Sequence, residues 1–491
     1  MKHPAWALTA VIAVLWASNL LVSARLGLGD AEALYYSYSQ HLAGAYLDHP
    51  PLIGWLIRAA VSLFGTSVLS VRLVPLCMTG LCLVSAYACT KEMFGRPAAG
   101  VCVLLLFASP VFSIGMVAAT PDAPLAACVL LFVQQLHRAQ VEAFRGPVAR
   151  VVRPAFIGVL MGLAFLAKVT GACLVITAVL LLLQKPFRRF LKSPGLYVGA
   201  AAAAAGCVPV FLWNARHGWV GVLHRLVFTQ GDAGFSLRNV GALLGGQVLY
   251  VGPLVLLLMG LAVRLHVTSE GDANRRRAGN LLLATAAPVL LLTYLLACWS
   301  KVAEPHWPAA GYLPLYPLAA GYIAESASRR LFRWAVGFGA AVLVIAQIVV
   351  LTPLLPVLVP RPIYEPKYDL ANELRGWDEA AELVRRLDPE KKPVVAAFYT
   401  QCAQLAFALR RKGDPPVRCA SEALTDFDIW YGKFELDERG ALFVTDNRFD
   451  FDPRQVLKNA EVGAKTELVI KRGGVEARRF SVAAVAEKGA Q

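Results

Sequence analysis

Residues 98–117 read AAGVCVLLLFASPVFSIGMV, a run of twenty residues without a charged side chain. A helix of this length rises about 30 Å and therefore matches the hydrocarbon thickness of a bilayer. Comparable apolar stretches recur from the N-terminus to about residue 358, in a chain that is 57% hydrophobic and only 16% charged. The pattern predicts a polytopic α-helical membrane protein and excludes an ordinary soluble globular protein.

The apolar stretches predict about eleven transmembrane helices, most of them long enough to cross the bilayer. The predicted spans are 5–24, 70–89, 98–117, 123–139, 155–167, 169–184, 195–213, 240–263, 280–299, 309–325 and 334–358. Lys168 separates two short stretches. If these two formed one bent helix, every later loop would change sides.

The distribution of basic residues decides whether the stretches on either side of Lys168 are two spans or one, since cytoplasmic loops carry the excess of Lys and Arg. With eleven spans, every basic cluster falls on one side of the membrane. The clusters are Lys91 and Arg96; Arg138, Arg145, Arg150 and Arg153; Lys185, Arg188, Arg189 and Lys192; Arg264 and Arg275–Arg277; and Arg329, Arg330 and Arg333. The net charge of +15 therefore reflects topology and contact with membrane lipids, and it does not indicate a nucleic-acid partner.

The N-terminal stretch has two interpretations. As a retained span, it leaves the N-terminus in the cytoplasm and the following loop outside a bacterial inner membrane. Met1–His3 and the apolar run are also compatible with a cleavable signal peptide, with Val22–Ala24 as the cleavage site. We favour the retained span, because cleavage would leave Asp30 close to a free and unanchored N-terminus.

Five prolines between residues 353 and 366 mark a stiff linker, and the chain beyond it has ordinary polarity. The pattern there predicts a helix over 370–387, strands at 394–399 and 441–444, and a hairpin of 467–471 and 475–482 that turns at Gly473-Gly474. We therefore expect a transmembrane domain over 1–359, with an outer first loop at 25–69, and a small periplasmic α+β domain over 360–491.

Cysteine usage agrees with this division. Eight of the ten cysteines lie in predicted spans, where Cys acts as a small hydrophobic residue. Cys402 and Cys419 fall in the outer domain, where disulfides can form. The sequence leaves two possibilities for this pair, a disulfide or two reduced and packed thiols.

Ionisable and aromatic side chains gather in the loops predicted to lie outside. The first loop contains GDAEALYY at 29–36 and YLDHPPLIGWL at 46–56, and residues 53–64 have the spacing of an amphipathic helix at the membrane surface. The outer ionisable residues are Asp30, Glu32, Asp48, His49, Asp122, Arg216, His217, His224, Arg225, Lys301, Glu304 and His306.

This asymmetry between the two faces indicates chemistry at the outer face. A carboxylate beside an acceptor hydroxyl can act as a general base. Arginine and lysine can hold a phosphate, arginine through two parallel hydrogen bonds and lysine as a point charge. A lipid-phosphate substrate would need both groups at the depth of the membrane surface.

Structural roles compete with catalytic ones at several positions. Asp30 is also a suitable N-cap for the helix that follows, and Glu32 suits the first turn of that helix. Lys168 either extends its ammonium group outward from the membrane boundary or contacts a phosphate. His217 and His224 are seven residues apart and would share one helical face without forming a metal site by themselves.

These motifs resemble the polyprenyl-phosphate-dependent glycosyltransferases of the GT-C membrane fold. The resemblance is to the bacterial branch related to dolichyl-phosphate-mannose–protein mannosyltransferases and lipid A aminoarabinose transferases, and it covers most of residues 1–360. It depends on a combination of motifs. They are the two first-loop segments, TPDA at 120–123, LWNARHGW at 212–219 and EPHWPA at 304–309.

The resemblance implies that a sugar is transferred, with inversion, from an undecaprenyl-phosphate donor to lipid A, a glycan or a protein at the periplasmic face. It implies Asp30 as the general base and Asp48 as a second catalytic carboxylate, near the donor phosphate or a metal. The residues expected to bind substrate are Glu32, Tyr35, His49, Asp122, Lys168, Arg216, His217, Lys301, Glu304 and His306. Of these, Lys168, Arg216 and Lys301 are the candidates for the donor phosphate.

One departure from the family concerns Asp48-His49, which replaces a Glu-Lys pair of the lipid A enzyme. A lysine that would neutralise phosphate is therefore missing, and histidine is only partly charged at neutral pH. We expect that no cofactor is required. A divalent cation bound by Asp48 and His306 is the alternative.

Two other function classes compete with the transferase. A flippase or transporter of lipid-linked sugars would place ionisable groups at the bilayer midplane, often in repeated halves with broken helices. Here the charges gather at one surface, and the sequence has no evident internal repeat. A non-catalytic assembly partner that binds envelope components through its outer domain is the third class.

Overall fold

The computed structural model describes residues 14, 17–141, 147–231, 233–268, 272–301, 303–325, 329–388, 390–410 and 416–488. The chain divides into two compact units by its internal contacts. The first unit is Met1–Asn19, Ala43–Ile53 and Arg72–Val344, and the second is Leu20–Leu42, Gly54–Val71 and Ile345–Gln491. The second unit thus contains two segments of the predicted first loop together with the C-terminal domain.

Helices make up the first unit. Their bounds are Val68–Phe94, Arg96–Ala108, Pro110–Ser113, Asp122–Val141, Pro147–Ala167, Cys173–Leu182, Lys185–Arg188, Pro194–Arg216, Val220–Leu226, Leu237–Tyr250, Pro253–Thr268, Ala273–Trp299, Ala309–Tyr312, Leu315–Glu325 and Arg329–Leu351. Short 3-10 turns lie at Gly115–Val117, Val169–Ala172, Arg189–Lys192 and Phe228–Gln230. The first and last of these helices each extend into the second unit.

Five helices are long and apolar enough to cross a membrane. They are Val68–Phe94, Arg150–Ala167, Pro194–Arg216, Ala273–Trp299 and Arg329–Leu351. Two bent pairs raise the number to seven if each pair is one span: Arg96–Ala108 with Pro110–Val117, bent by 81°, and Leu237–Tyr250 with Pro253–Thr268, bent by 102°. These counts apply to the residues that the structure describes.

Both bends occur where a proline follows the break, because proline lacks the N–H group that would continue the hydrogen-bond ladder. The other predicted spans between residues 123 and 325 also form helices, but these helices are not both long and apolar enough to be counted as membrane-crossing. Most of the first predicted span, 5–24, lies outside the described residues. The count of about eleven spans therefore stays a prediction.

Lys168 interrupts the helical path as the sequence predicted. Its backbone is extended, with φ −155° and ψ 141°, between the helix that ends at Ala167 and the turn that begins at Val169. The two short stretches on either side of Lys168 are thus separate helical segments and not one continuous helix.

Helices Pro147–Ala167 and Pro194–Arg216 pack closely through glycine. A Cβ atom on Gly158 would lie 1.9 Å from the carbonyl oxygen of Gly199, which is far inside a van der Waals contact. Small residues allow this approach between helix backbones, which is a common means of helix association in membranes.

The first loop contains two helices, Asp30–Gln40 and Leu52–Phe64. The second helix confirms the predicted amphipathic segment, because Ile53 and Ile57 are fully buried whereas Leu63 and Phe64 are exposed. Its location at the membrane surface stays a prediction.

The C-terminal part of the second unit is built on a five-stranded sheet in the order β2-β1-β3-β5-β4. The strands are β1 (Val394–Ala396), β2 (Val417–Cys419), β3 (Ala441–Asp446), β4 (Ala460–Arg472) and β5 (Val475–Glu487). Strand β1 is parallel to β2 and β3, whereas β5 is antiparallel to β3 and β4. The predicted α+β class and the hairpin at Gly473-Gly474 are confirmed, with longer hairpin strands than expected.

Three details differ from the sequence prediction. The strand expected over 394–399 ends at Ala396, because Tyr399 begins a helix. The helix expected over 370–387 is divided into Leu370–Glu373 and Trp377–Leu387, because Gly376 adopts a left-handed conformation with φ +85° between them. Strand β2 was not predicted, because its three residues are too short to show a period. The remaining helices of this part are Leu354–Leu358, Tyr399–Ala408, Asp426–Tyr431 and Pro453–Val456, with a 3-10 turn at Pro366–Tyr368.

Cys402 and Cys419 form a disulfide, with 5.7 Å between their Cα atoms. The bond joins helix Tyr399–Ala408 to strand β2. The disulfide alternative is confirmed, and the alternative of two reduced thiols is wrong.

Candidate active site

Asp30 is the first residue of helix Asp30–Gln40, and Gly29 is the N-cap. The alternative in which Asp30 itself caps the helix is therefore wrong by one position. The carboxylate of Glu32 accepts a hydrogen bond from the Gly29 N–H at 2.8 Å and is buried. Glu32 is thus a helix-start charge, placed where the helix dipole favours an anion.

Three side chains from the C-terminal domain contact Asp30, all within the second unit. Nη2 of Arg448 lies 3.0 Å from Oδ2 of Asp30 and 3.2 Å from Oδ1. Gln404 Nε2 donates to Oδ1 of Asp30 at 3.0 Å. The backbone N–H of Asp30 donates to Oε1 of Glu373 at 2.6 Å. The carboxylate of Asp30 is therefore held in one orientation by Arg448 and Gln404.

The guanidinium of Arg448 faces three carboxylates at once. Besides Asp30, its Nη1 lies 3.5 Å from Oε2 of Glu373 and its Nε lies 3.4 Å from Oδ2 of Asp446. Asp446 also forms a fully buried ion pair with Arg478. We refer to these five residues as the Arg448 cluster. Its three carboxylates and two guanidinium groups leave one net negative charge when all of them are ionised.

The cluster makes ionisation of Glu373 unfavourable. Burial raises the pKa of Glu373, and the nearby charge of Asp30 raises it further. Burial also opposes the charged form of Arg448, but the carboxylates of Asp30 and Asp446 outweigh it and raise the pKa of Arg448. The guanidinium therefore stays charged, and Glu373 is a carboxyl group with increased affinity for a proton.

Asp48 lies in the first unit, in the loop before helix Leu52–Phe64. His224 Nε2 and Arg225 Nη2 each lie 3.4 Å from its Oδ1, and Arg225 donates two further hydrogen bonds to the Asp48 carbonyl at 3.1 and 2.9 Å. Burial would raise the pKa of Asp48, but the hydrogen bond from His224 and the charge of Arg225 lower it to about 2. Asp48 is therefore a stable anion and a weak base.

Asp122 and Lys168 form an ion pair in the same unit. Lys168 Nζ donates to Oδ1 of Asp122 at 2.8 Å, and both side chains are largely buried. The break in the helical path at Lys168 and the N-terminus of helix Asp122–Val141 bring the two groups together. The interpretation in which Lys168 extends outward into water is wrong.

His49 and His306 are close enough to this pair to respond to its charges. Burial, with the charge of Arg225, lowers the pKa of His49 to about 3. Burial, with the charge of Lys168, lowers the pKa of His306 to about 4. Both imidazoles are therefore neutral at neutral pH. The predicted residues Asp48, His49, Asp122, Lys168 and His306 thus belong to one electrostatic group.

A divalent cation fits this group poorly. Asp48 already faces the guanidinium of Arg225, whose charge would repel a metal ion. Within the described ranges, no group of three or more His, Cys, Asp or Glu side chains is arranged to hold a metal. A metal at Asp48 and His306 is therefore not part of the function proposed below.

The other predicted residues have no contact with these two groups in the geometry described above. Arg216, His217, Lys301 and Glu304 are exposed. His217 stacks on Trp213, with ring centroids 4.4 Å apart, and its Nδ1 bonds the Trp213 carbonyl at 2.8 Å. Tyr35 is buried against Tyr38. Among these, only the exposed side chains could reach a substrate without rearrangement.

A cavity of about 310 Å³ lies in the second unit beside helix Asp30–Gln40. His41 stacks on Trp430 with ring centroids 4.2 Å apart, and the hydroxyl of Tyr431 bonds Nε2 of His41 at 2.9 Å. Arg410 also lines the cavity. Aromatic rings with a few polar groups are typical of sites for small polar ligands.

The sequence did not identify the partners of Asp30. Glu373, Gln404 and Arg448 carried no recognisable motif, and Arg448 lies 418 residues after Asp30. One weak signal was present, since Arg448 closely follows the buried strand β3, and polar residues at strand ends often line sites. His224 and Arg225 were counted with the outer charges, but they were not paired with Asp48.

Comparisons with known proteins show similarity to one protein family and to individual membrane proteins. Residues 48–213 match the family model of dolichyl-phosphate-mannose-protein mannosyltransferases. Over 286 residues the chain is 28% identical to the lipid A galacturonosyltransferase RgtD of Rhizobium johnstonii. That alignment covers 57% of this chain, and the chain spans 58% of the length of the relative.

The fold resembles that of ArnT from Cupriavidus metallidurans over nearly the whole chain. The apo crystal structure gives a TM-score of 0.66 at 17% identity, and the structure bound to undecaprenyl phosphate gives 0.65 at 16%. Each comparison covers 97% of both chains. The predicted fold class and family resemblance are confirmed. This chain is a membrane protein of the GT-C fold, similar to ArnT along its length and to the dolichyl-phosphate-mannose-protein mannosyltransferases over residues 48–213.

Proposed function

We propose that this protein transfers a sugar from an undecaprenyl-phosphate donor to a lipid A-type acceptor at the periplasmic face of the inner membrane. The observation that carries the proposal is that the family match over 48–213 includes Asp48, Asp122 and Lys168. Asp122 and Lys168 form a largely buried ion pair, and the charges of all three residues act on the buried His49. Supporting it, the similar ArnT binds undecaprenyl phosphate, and RgtD is named for galacturonosyl transfer to lipid A.

In this proposal, an acceptor hydroxyl oxygen attacks the anomeric carbon of the donor sugar. A new C–O bond forms, the bond from that carbon to the phosphate oxygen breaks, and the configuration inverts. Asp30 takes the hydroxyl proton as general base. The phosphate leaves with the electron pair of the broken bond and stays attached to its lipid, so its developing charge must be stabilised by nearby cations.

The buried ammonium of Lys168 is the first candidate for that role. Its Nζ lies 2.8 Å from Oδ1 of Asp122, so the carboxylate holds the ammonium group in place. Arg216 and Lys301 are exposed and would contact the phosphate from the water side.

Arg225 compensates for the missing lysine after Asp48. His49 is neutral because burial lowers its pKa to about 3, so it cannot neutralise phosphate. Arg225 is bonded to the Asp48 carbonyl and lies 3.4 Å from the carboxylate. We propose that Arg225 supplies the positive charge at this position and that Asp48 holds Arg225 in place.

The distribution of basic loops supports an orientation with the N-terminus in the cytoplasm and residues 360–491 in the periplasm. With that orientation, Asp30 and the outer loops would face the compartment where lipid A is modified. The first donor sugar to test is galacturonic acid, because of the similarity to RgtD.

The test is transfer by the purified protein in nanodiscs, with undecaprenyl-phosphate galacturonate and purified lipid A, followed by mass spectrometry of the lipid. We expect Asp30→Asn to reduce transfer by at least about a hundredfold, because the amide cannot accept the proton. Asp437→Asn, which alters an exposed acid paired with Arg439, is the matched control and should retain activity. Full activity of the Asp30 variant would remove Asp30 as base.

If no donor sugar is transferred, the assay distinguishes the remaining function classes. Movement of the labelled donor between leaflets without covalent transfer would support a flippase. Formation of an intact complex with envelope components, with no chemistry in the wild type, would support an assembly partner.

A further inference from the structure

The cavity beside helix Asp30–Gln40 has the size of a site for one sugar residue. Its volume of about 310 Å³ lies at the lower end of the range for small-molecule sites, about 300–1,000 Å³. All of its lining residues belong to the second unit, and they come from helices Asp30–Gln40, Tyr399–Ala408 and Asp426–Tyr431 and from the residues beside them. The cavity opens to solvent, because the lining residues Gln40, Arg410 and Pro416 are exposed.

One side of the cavity is aromatic and held in place. His41 is stacked on Trp430, and Tyr431 is hydrogen-bonded to His41. Nη2 of Arg418 donates to the carbonyls of Tyr431 and Gly432, at 3.0 and 2.9 Å. The face of an aromatic ring is electron-rich, so it attracts the C–H groups on the apolar face of a pyranose. This side is therefore suited to a sugar ring.

The strongly charged groups at the cavity are arginines. Among the described residues that line it, none is acidic, and Arg410 is a lining residue. Nη1 of Arg58 lies 3.5 Å from Oε1 of Gln40, another lining residue. Burial raises the pKa of Tyr36, and its hydrogen bond with Thr66 and the charges of Arg410 and Arg58 oppose that rise. Two guanidinium groups therefore act on this end of the cavity and favour an anion.

Arg410 is oriented by its neighbours. Its guanidinium lies over the ring of Phe407, 4.2 Å from the centroid, and its Nη1 donates to the Phe407 carbonyl at 2.8 Å. The same Nη1 lies 3.6 Å from Oδ1 of Asp378, whose side chain is 79% exposed, so this ion pair contributes little. Both polar contacts use Nη1. The edge formed by Nε and Nη2 is the one suited to a phosphate, which a guanidinium binds through two parallel hydrogen bonds.

We propose that this cavity binds a phosphorylated sugar of the acceptor glycolipid, with the sugar ring against Trp430 and Tyr431 and the phosphate on Arg410. The inference rests on the proposed function, in which the acceptor is of the lipid A type and so carries phosphorylated glucosamine. Helix Asp30–Gln40 joins the proposed base to the cavity, and its eleven residues span about 16 Å. The cavity would therefore hold a part of the acceptor that is remote from the reacting hydroxyl and help to position it.

The experiment measures binding of soluble sugars to the full chain in phosphatidylcholine nanodiscs by saturation-transfer NMR. The probes are glucosamine 1-phosphate, glucosamine and galacturonate. We expect saturable binding of glucosamine 1-phosphate and at least about tenfold weaker binding of glucosamine, because a charge-assisted hydrogen bond is worth about 1.5–3 kcal/mol. Galacturonate also combines a pyranose ring with an anion, and it represents the donor sugar.

Two variants change the cavity in different ways. Arg410→Gln should weaken binding of glucosamine 1-phosphate by at least about tenfold. Ala406→Trp should abolish binding, because the larger side chain would fill the cavity that Ala406 lines. Arg439→Gln and Tyr368→Ala alter exposed side chains of the same unit outside the lining and are the matched controls, which should bind as the wild type does. Thermal unfolding of each variant reports whether it is folded.

The transfer assay gives a second measurement. Arg410→Gln should raise KM for lipid A and leave KM for the undecaprenyl-phosphate donor unchanged, because only the acceptor occupies the cavity in this proposal. A higher KM for the donor alone would contradict the assignment to the acceptor.

Equal binding of glucosamine and glucosamine 1-phosphate, or unchanged binding in Arg410→Gln, would overturn the inference. Tighter binding of galacturonate than of glucosamine 1-phosphate would assign the cavity to the donor sugar and overturn it as well. If Ala406→Trp does not fold, Arg410→Gln still decides the question. Binding that is lost in Arg410→Gln, with no transfer by the wild type, refutes only the proposed function. Transfer with an unchanged KM for lipid A in Arg410→Gln refutes only the sugar site.

Discussion

Arg448 and Asp30 are separated by 418 residues, yet Nη2 of Arg448 lies 3.0 Å from Oδ2 of Asp30. The contact joins the start of the first described loop helix to the residues that follow strand β3. The C-terminal domain therefore contributes directly to the environment of the proposed base.

Removing the ammonium of Lys168 should impair transfer severely. Lys168→Ala leaves Asp122 as an unpaired buried carboxylate and removes a cation from the proposed phosphate site, so we expect both lower activity and lower stability. Measuring transfer and thermal unfolding for Lys168→Ala, Asp122→Asn and the double variant separates the two effects. If the double variant recovers stability but not activity, the ammonium acts on the substrate. Recovery of both would assign Lys168 a structural role alone.

Arg225→Gln should raise KM for the lipid-phosphate donor more than it lowers kcat, by about tenfold or more, because Arg225 is proposed to neutralise ground-state charge. Arg225→Lys should recover part of the loss. Arg277→Gln, at an exposed arginine of the same unit in a predicted cytoplasmic loop, is the matched control and should leave KM unchanged. An unchanged KM for the donor in Arg225→Gln would remove Arg225 from the phosphate site.

The stability of the protein should depend on Glu373 in a pH-dependent manner. The pKa of Glu373 is raised in the folded state, so its contribution is fully present below the unfolded pKa of about 4.3 and is lost as the pH rises through the folded pKa. Glu373→Gln cannot ionise. Its unfolding temperature relative to the wild type should therefore increase between about pH 4 and pH 7. A difference that decreases over this range would contradict the raised pKa.

Loss of the Cys402–Cys419 disulfide should destabilise the C-terminal domain. The bond closes a loop between residues 17 apart, and such bonds contribute about 2–4 kcal/mol, largely by restricting the unfolded chain. Replacing both cysteines with serine should lower the unfolding temperature. Maleimide labelling of the unfolded wild type should detect these two thiols only after reduction. Equal labelling with and without reductant would show that the bond does not form in the cell.

Chelation of divalent cations should leave transfer unchanged. Asp48 is already paired with the guanidinium of Arg225, 3.4 Å from its carboxylate, so a metal would gain little there. The measurement is the transfer rate after treatment with EDTA, with added Mg²⁺ or Mn²⁺ as the control. A loss of activity that one of these ions restores would revive the metal site at Asp48 and His306.

Local patterns in the sequence were sufficient for most of the architecture. Uninterrupted apolar runs predicted the helices of the first unit, and the charge of Lys168 predicted the break between two of them. The Gly-Gly pair predicted the hairpin, because only residues that tolerate positive φ turn a chain so tightly. Each of these features depends on residues that are neighbours in the chain.

The composition of the two charged groups was decided by tertiary structure. The sequence predicted Asp30, Asp48, Asp122 and Lys168 as site residues. It did not predict which cation would pair with which carboxylate. Arg448 reaches Asp30 only because strand β3 ends beside helix Asp30–Gln40. Lys168 reaches Asp122 only because the helix that ends at Ala167 and the helix that begins at Asp122 have these termini close together. A charge identifies a residue as reactive, but its basicity and its partner follow from burial and distance, and only the folded chain sets these.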